Sequence, residues 1–123
     1  MSATQEPAFD WSQAASLLGD NPNEVDGEMS AIVRELVEGA DVQFQDLKMK
    51  NGETDRKAIS ALAHGLRGCL LNFGFTEVGT ILMQVEKGTY SAGEYQERVD
   101  QAMAVFLASK KLLAARYPSI GLT

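Results

Sequence analysis

The chain has 123 residues, of which 45% are hydrophobic and 23% charged, and its formal net charge at pH 7 is -6. This length suits one domain and leaves no room for a second of ordinary size. The charge balance argues against nucleic acid as a partner. Phosphate neutralisation needs clustered Lys and Arg, whereas here 11 basic residues are dispersed among 17 acidic ones.

The sequence also argues against a membrane location and against a cofactor of the chain's own. No apolar run approaches the roughly 20 residues of a membrane span, and the N-terminus lacks the basic start and apolar centre of a secretory signal. One cysteine and one histidine are too few for a zinc site, and no glycine-rich nucleotide-binding loop is present. We therefore expect a cytoplasmic protein with no membrane contact that binds no metal or cofactor itself.

Apolar residues recur at three-and-four spacing and strand-like alternation is absent, which predicts an all-α fold. The first predicted helix is short, with Asp10 as its N-cap and Gln13 placed to return the capping bond, and it ends near Leu18. A second start signal follows at Asn21 and Pro22, a capping side chain followed by proline at the first helical position. This second helix is long and is expected to end at residues 51–52.

Three more helices are predicted after that break. The third opens at Thr54 or Asp55 and ends near Phe73, with Gly74 as a left-handed cap. Thr76 is the expected cap of the fourth helix.

The fifth helix begins at Ser91, which forms an S-x-x-E capping box with Glu94, and runs toward Tyr117 and Pro118. Four helices of useful length with short connections predict an antiparallel up-down four-helix bundle with an additional short N-terminal helix. The domain is expected over residues 9–117, between a flexible N-terminal tail (1–8) and a C-terminal tail (118–123).

The only histidine, His64, lies on the third helix opposite its apolar stripe. At about 100° per residue, the large apolar residues share one side, and we expect Cys69 to pack there as well. His64 should therefore face outward, and the plain alternative is an incidental surface histidine. The stripe comprises Ile59, Leu62, Leu66, Cys69, Leu70 and Phe73.

The neighbours of His64 on that outward face favour a functional role. Arg67 and Gly68 are its i+3 and i+4 neighbours. A glycine inside a helix costs about 1 kcal/mol relative to alanine, and this helix has two, Gly65 and Gly68. They would let a bulky partner approach the imidazole, and Leu71 would add an apolar docking contact, although close helix packing is the alternative for the glycines.

A largely neutral imidazole offers a ring lone pair for nucleophilic attack at pH 7. A phosphoryl group on it could receive charge-assisted hydrogen bonds from Arg67. Lys57 would add positive potential and Ser60 a polar contact, with a solvated helix face as the alternative for both.

The run AHGLRGCLLNFGF, residues 63–75, resembles the signature of histidine-containing phosphotransfer (HPt) domains. That signature is A-H-x-L-(K/R)-G, with a second glycine ten positions after the histidine. The resemblance extends over about Phe9 to Tyr117. The residues that fit are Ala63, His64, Leu66, Arg67, Gly68 and Gly74.

The resemblance implies a phosphocarrier of a multistep two-component phosphorelay rather than a stand-alone enzyme. His64 would accept a phosphoryl group from a receiver-domain phospho-Asp and pass it to another receiver. Arg67, where lysine is usual, would steady the phosphoryl group, and Gly68 would keep the approach open. The partners would be receiver domains of response regulators or hybrid histidine kinases. Mg²⁺ would come from the receiver, since we expect no acid beside His64.

Two other functions stay open at this point. The chain could be a non-catalytic helical binding module that docks or sequesters a receiver, or a substrate domain of a histidine kinase acting in trans. One apolar stripe per helix favours a monomer.

Overall fold

The computed structural model describes residues 6–122. This part of the chain is all-helical and has no strand, so the all-α class is confirmed. Residues 1–5 of the predicted N-terminal tail lie outside the described range. The elements are α1 (Trp11–Leu18), α2 (Gly27–Met49), α3 (Arg56–Leu71), α4 (Thr76–Lys87), α5 (Ala92–Arg116) and a 3-10 helix (Pro118–Ile120).

The four longer helices enclose an apolar core. Helix α3 contacts α2 and α4, and α5 likewise contacts α2 and α4, an arrangement compatible with a helical bundle. Aromatic rings of α2, α5 and the residue before α4 pack together in this core. The ring centroid of Phe106 lies 5.2 Å from that of Phe44 and 5.6 Å from that of Phe75. Between residues 6 and 122, no helix combines the length and apolar character needed to cross a membrane.

The turn between α3 and α4 is closed by a left-handed glycine. Gly74 has φ 96°, and its N–H donates to Leu71 O at 3.1 Å while Phe75 N–H donates to Leu70 O at 3.1 Å. The left-handed Gly74 is thus confirmed, although α3 itself ends at Leu71. Phe75 is fully buried and precedes α4, so Thr76 is the first residue of that helix and not its cap.

Two of the predicted caps are present. Asp10 accepts a hydrogen bond from Gln13 N–H at 3.0 Å, although the Gln13 side chain donates to Asn72 O at 2.8 Å and does not return the bond. At the start of α5, Ser91 and Glu94 form both bonds of the capping box, at 3.3 Å and 3.0 Å.

The predicted start of α2 is wrong. The helix begins at Gly27, and Asp26 caps it by accepting hydrogen bonds from Glu28 and Met29 N–H. Asn21 instead closes a turn, because its side-chain oxygen accepts from Asn23 N–H at 3.0 Å.

The packed part of the chain extends past residue 117, the last residue of the predicted domain. Ile120 in the 3-10 helix is fully buried, and its carbonyl accepts from Arg34 Nη1 at 2.6 Å. The Ser119 hydroxyl donates to Pro22 O at 3.0 Å. These two hydrogen bonds attach the 3-10 helix to α2 and to the loop before it. Burial of the Ile120 side chain also stabilises the fold, because it removes apolar area from water.

Candidate functional site

His64 lies in the middle of α3 with 69% of its side chain exposed. The imidazole is therefore accessible, as its place opposite the apolar stripe predicts. The fully buried residues of α3 are Ile59, Ala63, Leu66 and Leu70.

The prediction that Cys69 packs into the core is wrong, because its side chain is exposed. The buried face of α3 includes Ala63, which the predicted stripe of large apolar residues leaves out. The buried face is therefore centred nearer Ala63 than that stripe is. Because the buried face is shifted around the helix relative to the predicted stripe, Cys69 lies outside it and Leu62 is only half-buried. His64 stays on the outer side.

Arg67 stands beside the imidazole, one helical turn along α3. Its Nη2 lies 3.3 Å from His64 Nδ1 and donates to Glu86 Oε1 at 3.0 Å. Only 17% of the Arg67 side chain is exposed. The guanidinium is therefore held against the ring by a contact that reaches across to α4.

The acid that completes this group, Glu86, was missed by the sequence analysis, and the expectation that no acid adjoins His64 is wrong. Glu86 Oε2 lies 3.1 Å from His64 Nδ1, and only 6% of the Glu86 side chain is exposed. A signal was present, because Glu86 follows Leu82 by four residues and so falls on the apolar face of α4. A carboxylate on a buried face needs hydrogen-bonding partners.

Glu86 is ionised at neutral pH because its partners outweigh its burial. Burial raises the pKa of this carboxyl group, but hydrogen bonds from Arg67 and His64, with the charges of His64 and Lys87, bring the pKa below its ordinary value of 4.5. Lys87 Nζ lies 3.5 Å from Glu86 Oε2.

The backbone of Glu86 is fixed by a second arginine of α3. Arg56 Nη2 donates to Val85 O at 3.4 Å and to Glu86 O at 3.3 Å. These carbonyls belong to the last turn of α4. The last carbonyls of a helix have no helical N–H group four residues further on to donate to them. Arg56 and Arg67 thus attach the end of α4 to α3, and they place the carboxylate beside the imidazole.

The surface around His64 is open because two glycines flank it. Gly65 and Gly68 are exposed, and a Cβ atom added at either would find no neighbouring atom within 4 Å outside its own helix. Close helix packing therefore does not account for these glycines. Both positions are exposed, and the role of the glycines in partner access stays a prediction.

Of the other predicted site residues, Leu71 is apolar and has exposed surface, as the predicted docking contact requires. It is 37% exposed, and its side chain packs on Gly79 of α4, where an added Cβ would lie 2.6 Å from Leu71 Cδ2. Met83 of α4, which was not among the predicted site residues, follows Gly79 by four residues, precedes Glu86 by three and is 46% exposed. Leu71 at the end of α3 and Met83 in α4 are thus two large apolar side chains with exposed surface.

Lys57 and Ser60 take no part in the group around the imidazole. Lys57 is exposed and Ser60 half-buried. The hydrogen bonds of His64 to described residues go to Arg67 and Glu86. Both residues therefore fit the alternative of a solvated helix face.

Comparisons of the chain with protein-family models, with curated proteins and with solved structures found no match. We therefore infer the function from the geometry of His64, Arg67 and Glu86 and from the open surface beside them.

Proposed function

We propose that this chain is a histidine phosphotransfer protein of a multistep phosphorelay. His64 accepts a phosphoryl group from the phospho-Asp of one receiver domain and passes it to another. The observation that carries the proposal is an imidazole, 69% exposed, that lies beside a positioned guanidinium on a helix surface left open by two glycines.

The helix contacts support the bundle that such a role requires. Each of α2, α3, α4 and α5 contacts two of the others, and the contact of α2 with α5 closes the ring. The connections at residues 50–55, 72–75 and 88–91 are short, which favours antiparallel neighbours. The proposed arrangement is an antiparallel up-down four-helix bundle with α1 as an additional N-terminal helix.

The transfer is a single displacement at phosphorus. A ring nitrogen of His64 forms the N–P bond as the bond between phosphorus and the receiver's aspartate oxygen breaks, and the electron pair returns to that carboxylate. Arg67 has five N–H donors, and its bond to Glu86 uses one of them. Another can therefore bind a phosphoryl oxygen while Arg67 remains attached to α4.

The receiver would supply the Mg²⁺. No group of three His, Cys, Asp or Glu residues within 6–122 is arranged to hold a metal ion. Glu86 is a single carboxylate already bound to Arg67 and His64. A phosphate-bridging cation needs carboxylates with free oxygens, which this site does not offer.

The test is to mix the protein with receiver domains carrying a labelled phosphoryl group and to follow the label. We expect transfer to the wild type and to Cys69→Ser, which removes the nearby exposed thiol, but not to His64→Gln. The transferred label should be lost in acid and stable in alkali, as a phosphoramidate is. Acid-stable label, or label retained by His64→Gln, would contradict the proposal.

The same mixtures separate the two other functions. A receiver that binds wild type and His64→Gln equally and never transfers label would identify a non-catalytic binding module. Label that arrives only from ATP through a histidine kinase in trans, with no exchange with receivers, would identify a kinase substrate domain.

A further inference from the structure

The contact of α2 with α5 leaves an open apolar groove on the protein surface, which we call the α2–α5 groove. Its volume is about 180 Å³. The almost fully buried rings of Phe44 and Phe106 line it, together with Met103 and Ala104 of α5. Leu107 also lines the groove and is 46% exposed, although it is a large apolar side chain. The groove is therefore a concave apolar surface that another apolar side chain can fill.

Charged side chains of opposite sign adjoin the two sides of this groove. Asp41 of α2 lines the groove and also a neighbouring cavity of about 70 Å³, which is lined as well by Glu38 and by Lys110 of α5. Lys111 is exposed and follows Leu107 by four residues, so the two are neighbours on the surface of α5. The salt bridges within residues 6–122 involve none of these four charged side chains.

The α2–α5 groove and a side chain that fits it lie on the same face of the chain. An apolar groove beside carboxylates fits an apolar side chain that is followed, one helical turn later, by a lysine. Leu107 and Lys111 form such a pair. Two copies related by a two-fold axis present the same surface to each other, so that surface has to contain both halves of every contact. This surface contains both.

The direction of the helices brings the charges of two copies to the same height. Gln96 of α5 donates to Lys48 O of α2 at 2.9 Å, and later in α5 Lys110 shares a cavity with Glu38. Helix α5 thus runs from the end of α2 toward its start. A two-fold axis parallel to the helices preserves height, so it places the C-terminal half of α5 of one copy over the acidic N-terminal half of α2 of the other.

We propose that this face is the interface of a homodimer. Leu107 of each copy enters the α2–α5 groove of the other copy, and Lys110 and Lys111 pair there with Glu38 and Asp41. The proposal departs from the monomer that one apolar stripe per helix favours, because the groove forms only where two helices pack together.

The homodimer leaves the candidate site accessible. The interface belongs to α2 and α5, whereas His64 and the residues that bind it, Arg67 and Glu86, belong to α3 and α4. The inference therefore does not rest on the proposed function. A failure of one leaves the other standing, because dimerisation is measured without a receiver.

The first test is sedimentation equilibrium of the wild type over a range of concentrations. One leucine and a few exposed ion pairs from each copy make a small interface, and we expect a dissociation constant of about 10–500 µM. The apparent mass should rise from that of the monomer toward twice that value as the concentration approaches about 1 mM. A mass that stays monomeric would overturn the proposal and leave the groove to a helix of another protein. A mass that passes that of the dimer would also overturn it, because a two-fold interface closes on itself.

The second test introduces a charge into the groove. Leu107→Glu places a carboxylate beside Asp41, and we expect the association constant to fall by at least about tenfold. Met83→Glu is the matched control, because Met83 of α4 is also 46% exposed and lies outside the groove. It should dimerise as the wild type does. Equal association of Leu107→Glu and Met83→Glu would overturn the proposal.

The third test exchanges the charges of the two sides. One variant combines Glu38→Lys with Asp41→Lys, and the other combines Lys110→Glu with Lys111→Glu. Each variant alone should stay monomeric, because like charges meet in its homodimer. A mixture of the two should dimerise, since every contact of the mixed dimer joins opposite charges. Circular dichroism checks that both variants are folded. A mixture that stays monomeric, or variants that dimerise alone as the wild type does, would overturn the proposed pairing.

Discussion

Arg67 and Glu86 form an ion pair across the α3–α4 contact, with Arg67 Nη2 3.0 Å from Glu86 Oε1, and both side chains are largely shielded from water. The pair connects α3, which carries His64, to α4. We therefore expect one interaction to serve both the stability of the fold and the geometry of the proposed site. Its two roles can be separated, because stability is measured by unfolding and the site by phosphotransfer.

Removing Arg67 alone should destabilise the fold. Arg67→Ala leaves a buried carboxylate without its main donor, and we expect a loss of about 1–3 kcal/mol in the free energy of unfolding. Adding Glu86→Leu removes the unpaired charge and should restore part of that loss. Urea denaturation of the two single variants and the double variant measures the coupling. Strictly additive losses would show that the ion pair contributes nothing.

Replacing Gly68 by alanine should stabilise the protein. A Cβ at this position would enter open space, and the substitution removes the flexibility of a glycine within a helix, with an expected gain of up to about 1 kcal/mol. Gly39 of α2 also has open space around its position, so Gly39→Ala is a matched control with a similar expected gain. Thermal unfolding measures both. A loss of stability in Gly68→Ala alone would contradict the open surface seen beside His64.

A larger side chain at Gly68 should obstruct the partner and leave the fold intact. We expect Gly68→Gln to reduce transfer from a phosphorylated receiver by at least about tenfold, the effect of losing some 1.4 kcal/mol of binding. Gly39→Gln, on another helix, should transfer at the wild-type rate. The measurement is label transfer at fixed receiver concentration. Undiminished transfer by folded Gly68→Gln would show that the partner does not approach over this surface.

The contribution of Glu86 to stability should disappear in acid. Its pKa in the folded protein is lowered below 4.5, so the unfolded chain takes up the proton first as the pH falls. The stabilising contribution is therefore complete above about pH 5 and declines as the pH falls through the lowered pKa. Free energies of unfolding of wild type and Glu86→Gln should differ most near neutral pH and converge toward pH 3. A difference independent of pH would contradict this assignment.

Tyr95 should make the protein sensitive to strong alkali. Burial raises the pKa of its hydroxyl to about 12, and the hydroxyl donates to Leu47 O. The unfolded chain loses this proton near pH 10, so stability falls as the pH rises from about 10 toward 12. Tyr95→Phe should be less stable than wild type at neutral pH and should lose less stability over that alkaline range. Parallel pH profiles of the two proteins would contradict the prediction.

Local signals predicted the helix ends whose partners are close in sequence. Ser91 and Glu94 are three residues apart, and both bonds of their capping box are present. The start of α2 was placed too early, because Asn21 and Asp26 are both good caps and the sequence does not rank them. The segment between them is held by a contact distant in sequence, because Pro22 O accepts a hydrogen bond from Ser119, 97 residues away. Pairing at that distance is not visible in local periodicity.

In the candidate site, too, relationships within one helix were predicted and contacts between helices were not. Periodicity along α3 placed His64 outward and Arg67 beside it, since both residues belong to one helix. It did not place Glu86, whose contact with His64 joins residues 22 apart on two helices. It also misplaced Cys69, because the small Ala63 belongs to the buried face and carries little weight in a pattern of large apolar residues.

The most direct test of the central claim is to map the phosphoryl group by mass spectrometry after mixing the protein with phosphorylated receivers. We predict a gain of one phosphoryl group, confined to the peptide that contains His64, lost on acid treatment and absent from His64→Gln. Addition of an unphosphorylated receiver should then remove it. A phosphoryl group on any other residue, or one that persists in His64→Gln, would contradict the claim that His64 carries phosphate between receivers.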